Sequence, residues 1–157
     1  MTRTVVHDTF VIDRTYAASP ARVFGAFADP AMKIQWFGDP DIEKNAPHMI
    51  DFRVGGRESL AGSLPDSSTA TFAYEAVYHD IVDDARIVYS YEMTMNGQRI
   101  SVSVATFEFY ADAAGTRLIL TEQGAYLDGL DTSAQREEGT RAILDALADF
   151  LAKENAS

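Results

Sequence analysis

Apolar residues recur along this chain at two different periods, and the change of period divides it. From Ser133 to Lys153, Ile143, Leu144, Leu147, Phe150 and Leu151 fall at helical spacing, with Arg136, Glu137, Glu138, Arg141, Asp145 and Asp149 over the remaining surface. The spacing predicts one long amphipathic helix. Asp131 and Thr132 can each accept a bond from an orphan amide at its start, and Thr132…Gln135 has the spacing of a capping box. From about Met49 to Tyr126 most residues read as strand. The helical stripe needs an apolar surface to lie on, so the pattern predicts a sheet wrapped around this helix, with function expected in the space between them.

Ahead of that region, Phe10, Ile12 and Tyr16 alternate with Thr9, Asp13 and Thr15, which suits a strand over 8–17. Ser19-Pro20 and Asp29-Pro30 each pair a capping side chain with a proline where a missing amide costs nothing. They open two short helices, one through Val23, Phe24 and Phe27, the other through Met32, Ile34, Trp36 and Phe37, ended by Gly38-Asp39-Pro40.

The strand region starts with Ile50, Phe52 and Val54 facing one way and Asp51 and Arg53 the other. Gly55-Gly56 reads as a two-residue hairpin that sets Arg53 opposite Glu58 as an ion pair on a solvated face. Gly62 to Ser68 reads as a polar loop. Phe72, Tyr74, Ala76 and Tyr78 mark a long strand, turned back at Val82–Ala85, and Ile87, Tyr89, Tyr91, Met93 and Met95 form the cleanest alternation in the chain. Asn96-Gly97 is the strongest hairpin signal. Ile100, Val102 and Val104 continue the inward face, and the change of phase to Phe107 and Phe109 predicts a bulge near Ala105-Thr106. After a turn at Asp112–Gly115, Leu118 and Leu120 alternate inward with Glu122 in phase. The order is strand, two short helices, six strands in meander, and a long helix: an α+β domain of about seven antiparallel strands.

Composition changes the picture mainly by exclusion. A chain of 157 residues is long enough for one domain with a real core, so residues 1–157 are expected to form a single unit. The net charge of -11 argues against nucleic acid and against anionic membrane surfaces as partners. With no cysteine, disulfides, thiolate nucleophiles and Cys-based zinc sites are excluded. No run reaches the length of a membrane span or a secretory leader, and a cytoplasmic protein is the default expectation.

Candidate chemistry is sparse. His7, His48 and His79 stand apart from one another and no metal-ligand spacing occurs, so no metal is expected. There is no nucleophile elbow, and Gly55-Gly56 makes a turn and not a phosphate cradle, so no nucleotide or other cofactor is expected. What remains is a set of inward side chains: Tyr74, Tyr89, Tyr91, Met93, Met95, Phe107 and Phe109. Any one of them could be simple packing. Together they describe an apolar cleft with a few polar tips, the usual character of a small-molecule site. Trp36 and Phe37 end the second short helix and could stack on a ligand or plug the open end of the sheet. Glu122 is the one acid expected to face inward, where it needs water or a partner such as a tyrosine hydroxyl or an arginine.

Several segments carry a resemblance to a known superfamily: Ala17-x-x-x-x-Arg22-Val23-Phe24, Trp36-Phe37-Gly38, Asp51 to Glu58, Gly115-Thr116-Arg117-Leu118, and Glu122 to Gly129. In that order they resemble the helix-grip fold of the SRPBCC superfamily (START and birch-pollen-allergen-like). The similarity is to the AHSA-type branch, named for activators of a heat-shock chaperone's ATPase and also labelled polyketide-cyclase-like. Much of that branch carries a tryptophan early in the last helix, where this chain has Gly139-Thr140. The resemblance implies a curved sheet around the terminal helix, with the cavity mouth near Trp36 and Phe37. It also implies a superfamily in which most members bind lipids, hormones or polyketides and a minority catalyse cyclisation or hydration. The expected function is non-covalent binding of a small hydrophobic or aromatic molecule by Trp36, Phe37, Tyr74, Tyr89, Tyr91, Met93, Met95, Phe107, Phe109 and Glu122, in a monomer or homodimer. Two alternatives stay open: a polyketide cyclase or hydratase using Glu122 and a tyrosine, and a chaperone-activator-like interaction module.

Overall fold

The computed structural model describes residues 3–38, 43–44, 47–63 and 70–155. Its elements are β1 (Val5–Tyr16), α1 (Pro20–Ala28), α2 (Pro30–Lys33), β2 (Glu43–Lys44), β3 (Met49–Ile50), β4 (Arg57–Ser63), β5 (Thr71–Val82), β6 (Arg86–Met95), β7 (Gln98–Asp112), β8 (Gly115–Leu127) and α3 (Ser133–Asn155). The strands pair antiparallel in one sheet of order β1-β8-β7-β6-β5-β4-β2, with β3 also on β4. This is the α+β helix-grip architecture, and β1 reaches its place at one edge because α1 and α2 carry the chain across before the meander begins.

Local chemistry explains the entries and turns. Ser19 accepts the Arg22 amide and Asp29 the Ala31 amide, each with a proline at the first helical position. The Thr132 hydroxyl accepts the Gln135 amide at 3.1 Å and starts α3. Asn96 and Gly97 both take positive φ, as the tight β6–β7 turn requires. Gly115 has φ of 136°, and a Cβ there would lie 2.5 Å from the Tyr16 carbonyl oxygen, so the β7–β8 turn admits only glycine against the end of β1.

The core lies between the inner face of the sheet and α1 and α3. Ile12, Ile87, Leu118, Leu120, Leu144 and Leu147 are almost completely buried. Polar bonds hold α3 in place: the Tyr16 hydroxyl donates to the Leu144 carbonyl at 3.1 Å, Arg22 donates to the Leu151 carbonyl at 3.3 Å, and Arg14 pairs with Asp145.

Three strand expectations need correction. The bulge lies between Met93 and Thr94 of β6 and the facing Ser101 and Arg99, not near Ala105-Thr106. The extra residue is Ile100, so the phase changes there; Val102 and Val104 face outward, while Ser101, Ser103 and Ala105 face inward. Second, the strand after Met49 stops at Ile50. Residues 51–56 form a turn closed by the Gly56 amide on the Arg53 carbonyl at 2.8 Å, and Ile50 faces Glu58. Third, Arg53 pairs with Asp51, not with Glu58, which is buried. The rest of the loop expected over 62–68 begins after Ser63 and, like Asp39-Pro40, lies outside the described residues.

Candidate functional site

A cavity of about 380 Å³ lies between the sheet and the first half of α3. Its floor comes from alternate residues of adjacent strands: Phe72 and Tyr74 of β5, Tyr89, Tyr91, Met93 and Met95 of β6, Phe107 of β7, and Leu120 and Glu122 of β8. The period-two pattern of those strands is what collects them on one face. Trp36 and Phe37 close one side from the turn after α2, and Arg136, Thr140, Ile143 and Leu144 form the roof. Thus nine of the ten residues expected at the site line the cavity; Phe109 does not. It sits farther along β7 and packs edge-on against Phe24 and Phe27, with ring centroids 5.4 Å away in each case.

The shifted bulge shapes this space. Ala105 lies in register between Tyr89 and Glu122, so the row Tyr89–Ala105–Glu122 has a small residue at its centre. A large side chain there would fill the floor. The aromatic wall is continuous: Phe37–Tyr74 centroids are 5.3 Å apart, Tyr74–Tyr91 5.1 Å, and Tyr89 stacks on Phe107 at 6.1 Å. The Trp36 indole donates to the Ala26 carbonyl at 3.1 Å, which fixes the ring and leaves its face as wall. Gly139 and Thr140 are also at the cavity, and a Cβ on Gly139 would meet nothing within 4 Å.

Two polar groups bound the apolar space. At the α3 side, the Tyr91 hydroxyl donates to Glu122 Oε2 at 2.8 Å and accepts from Arg136 Nη1 at 2.9 Å. Arg136 also donates to Ser101 at 2.8 Å and pairs with Asp131. Glu122 is 2% exposed, and desolvation raises its pKa to about 7 although the Tyr91 bond and the Arg136 charge oppose the rise. Burial, and then the Glu122 charge, drive the Tyr91 hydroxyl far above its ordinary value.

At the α2 side, Lys33 Nζ donates to Glu58 Oε1 at 2.7 Å and to the Tyr78 hydroxyl at 3.2 Å, and Tyr78 in turn donates to Glu58. His48 Nε2 lies 2.8 Å from Glu58 Oε2. Glu58 and Lys33 are 1% and 2% exposed. Desolvation by itself would raise Glu58, but the Lys33 charge and the bonds from His48, Lys33 and Tyr78 outweigh it and hold the carboxyl at about 2. Of this cluster Lys33 lines the cavity, with Nζ 4.5 Å from the Phe37 ring centroid and 5.7 Å from that of Tyr89. Among the described residues no group of three or more His, Asp or Glu side chains could hold a metal ion, and no helix is long and apolar enough to cross a membrane.

Residues 17–152 match the family described as activator of Hsp90 ATPase homolog 1-like protein. The chain belongs to this family. It is similar over 98% of its length to an uncharacterized protein from Rhizobium leguminosarum, whose solved structure it covers to 99% at 40% identity and a TM-score of 0.90. The Mll3558 protein from Rhizobium loti is 46% identical over 94% of this chain and 99% of its own, with a TM-score of 0.85. An AHSA1-like protein from Aeromonas hydrophila, 18% identical over 96% of each chain with a TM-score of 0.69, shares the fold. No curated protein matches. Every cavity residue lies inside the AHSA1-like segment, so the site belongs to the family domain itself.

The sequence reading missed four polar residues of this AHSA1-like site, and two of them left a signal. Glu58 is in phase with the buried Leu60 on β4, which places it inward despite its charged neighbour Arg57. Arg136 precedes Thr140, Ile143, Leu144 and Leu147 at helical spacing and so extends the buried stripe by one turn. Lys33 ends a four-residue helix and His48 lies just ahead of the two-residue β3, where no periodicity exists to assign a face.

Proposed function

We propose that this protein binds a small, largely apolar or aromatic molecule in the cavity between the sheet and α3, without covalent chemistry. The observation that carries this reading is the cavity wall itself: a continuous run of phenylalanine, tyrosine, tryptophan and methionine with polar tips at its two sides. Burial supplies the affinity. A ligand that loses about 200 Å² of apolar surface gains roughly 5 kcal/mol before ordering costs. Tyr74, Tyr91 and Glu122 set its orientation. The methionines Met93 and Met95 adapt to its outline.

Prodan, an uncharged naphthalene dye whose emission reports polarity, should bind at one saturable site with a blue shift. Met93→Arg puts a charged head into the apolar wall, and at least about a tenfold loss of affinity is expected, since an unpaired charge is costly to desolvate. Unchanged titration of that variant would refute the cavity assignment.

One observation favours a second reading, an enzyme acting on polyketide-like substrates. A carboxyl held at about 7 beside a tyrosine hydroxyl has the ionisation a general acid or base needs near neutral pH. Turnover that persists undiminished in Glu122→Gln would remove Glu122 from any such chemistry.

A further inference from the structure

We propose that the α2 side of the cavity is a neutral-acceptor subsite, at which Lys33 and Tyr74 donate hydrogen bonds to an uncharged carbonyl oxygen of the ligand. This rests on the cavity-binding reading and adds the class of ligand.

An ammonium group has three hydrogens, and Glu58 and Tyr78 take two of those on Lys33. The third has no oxygen partner among the described residues. Nζ lies over three rings, Phe37, Tyr78 and Tyr89, and the nearest, Phe37, is a cavity wall, as is Tyr89. Next to Phe37 stands Tyr74, whose hydroxyl is buried and has no partner at full hydrogen-bonding geometry among the described residues, although it approaches the Tyr89 hydroxyl as a donor. A buried hydroxyl without a partner is uncommon in a native core, and Lys33 and Tyr74, both packed on Phe37 and both lining the cavity, put two donors at one end of it for an acceptor atom.

Charge decides which acceptor. Glu58 is ionised and bonded to Lys33, so the pair is formally neutral. A ligand carboxylate would gain Lys33 but sit beside the fixed negative charge of Glu58, whereas a ketone, aldehyde, ester or lactone oxygen takes the free N–H without that repulsion. Position fixes the ligand's length. Lys33 lies over Tyr89, and Glu122 is two strands farther across the same row, about 10 Å at ordinary strand spacing. A two-ring aromatic frame with a carbonyl at one end spans that distance.

The test uses compounds of nearly one outline: 2-acetylnaphthalene, which has the carbonyl, 2-ethylnaphthalene, which lacks it, and 2-naphthoate, which replaces it with a carboxylate. Calorimetric titration of the intact protein should give 2-acetylnaphthalene about tenfold tighter than 2-ethylnaphthalene, the advantage of a hydrogen bond from a charged donor. It should also give 2-naphthoate weaker than the ketone. In Lys33→Met combined with Glu58→Gln, which removes both charges of the buried pair together, the ketone-to-hydrocarbon ratio should fall to about the threefold that Tyr74 alone supplies, and adding Tyr74→Phe should bring it to about one. The carbonyl stretch of 2-acetylnaphthalene bound to the unsubstituted protein should move below its position in hydrocarbon solvent, which tests the donors even if a variant does not fold. Equal binding of ketone and hydrocarbon, tighter binding of 2-naphthoate, a ratio undiminished by the double substitution, or an unshifted carbonyl band each overturns the subsite and leaves the cavity reading standing. Failure of both neutral compounds to bind overturns both.

Discussion

Lys33→Met is expected to destabilise the protein by about 3–5 kcal/mol at pH 7, the usual cost of leaving one member of a buried ion pair without its partner. The loss of a surface lysine would cost almost nothing, so the size of the effect tests whether Lys33 and Glu58 meet in the core. Its pH dependence is a sharper signature. In the unsubstituted protein the Glu58 carboxyl is held at about 2, below its ordinary 4.5, so its contribution is fully present above about pH 4.5 and lost as pH falls through 2. Without Lys33, burial is opposed only by the bonds from His48 and Tyr78, and the same carboxyl is expected to move above its ordinary value. Its contribution then declines as pH rises. The stability gap between the two proteins should therefore widen from pH 4 to pH 7 in urea titrations, and Lys33→Met with Glu58→Gln should recover most of it, because neither member is then a stranded charge. A gap under about 1 kcal/mol at pH 7, or one that does not change with pH, would contradict the buried pair.

That pair also shows where a sequence speaks and where it is silent. The long strands were legible because β8 alternates along its whole length and β5 and β6 over most of theirs, and inside such a run each residue has only one face to occupy. Glu122 was placed inward by that logic alone, in phase with Leu118 and Leu120. Ser19-Pro20 and Asp29-Pro30 marked the helix starts because the cap bond and the proline ring act locally. β7 resisted because a bulge is one residue, and Val102 and Val104, strong strand formers, lie on the outer face where apolarity says nothing about burial. The polar cluster stayed hidden for a related reason. Lys33, His48, Glu58 and Tyr78 come from α2, a loop, β4 and β5, and only tertiary closure sets a lysine 2.7 Å from a glutamate 25 positions away. Glu58 reads in sequence as half of a solvated ion pair with Arg53, and nothing in the pattern assigns Lys33 a face. The cavity is the converse case: its aromatic floor follows from periodicity, whereas the small residue at the centre of that floor, Ala105, is noticed only once its partners Tyr89 and Glu122 are known.

Glu122→Gln tests the other polar group, and the expected sign is stabilisation. Desolvation raises this carboxyl from 4.5 to about 7, so the folded protein binds its proton more tightly than the unfolded chain does. A group raised in this way contributes most below about pH 4.5 and loses its contribution as pH climbs through 7. The whole difference corresponds to about 3 kcal/mol, at 1.4 kcal/mol for each tenfold change in proton affinity. Glutamine is neutral at every pH and its amide oxygen can still accept from Tyr91. The variant should therefore be close to the unsubstituted protein at pH 5 and more stable at pH 8, by up to about 3 kcal/mol, and urea titrations at the two pH values read the difference directly. The same proton connects stability to binding. An apolar ligand that excludes water from the cavity removes more hydration from Glu122 and favours its protonated form further, so prodan affinity should decline above pH 7 in the unsubstituted protein and stay level in Glu122→Gln. If stability responds as described while binding is indifferent to pH, the ligand occupies the aromatic wall without approaching Glu122; if stability does not respond, Glu122 is ionised in the folded state and the Arg136 charge governs it instead of burial.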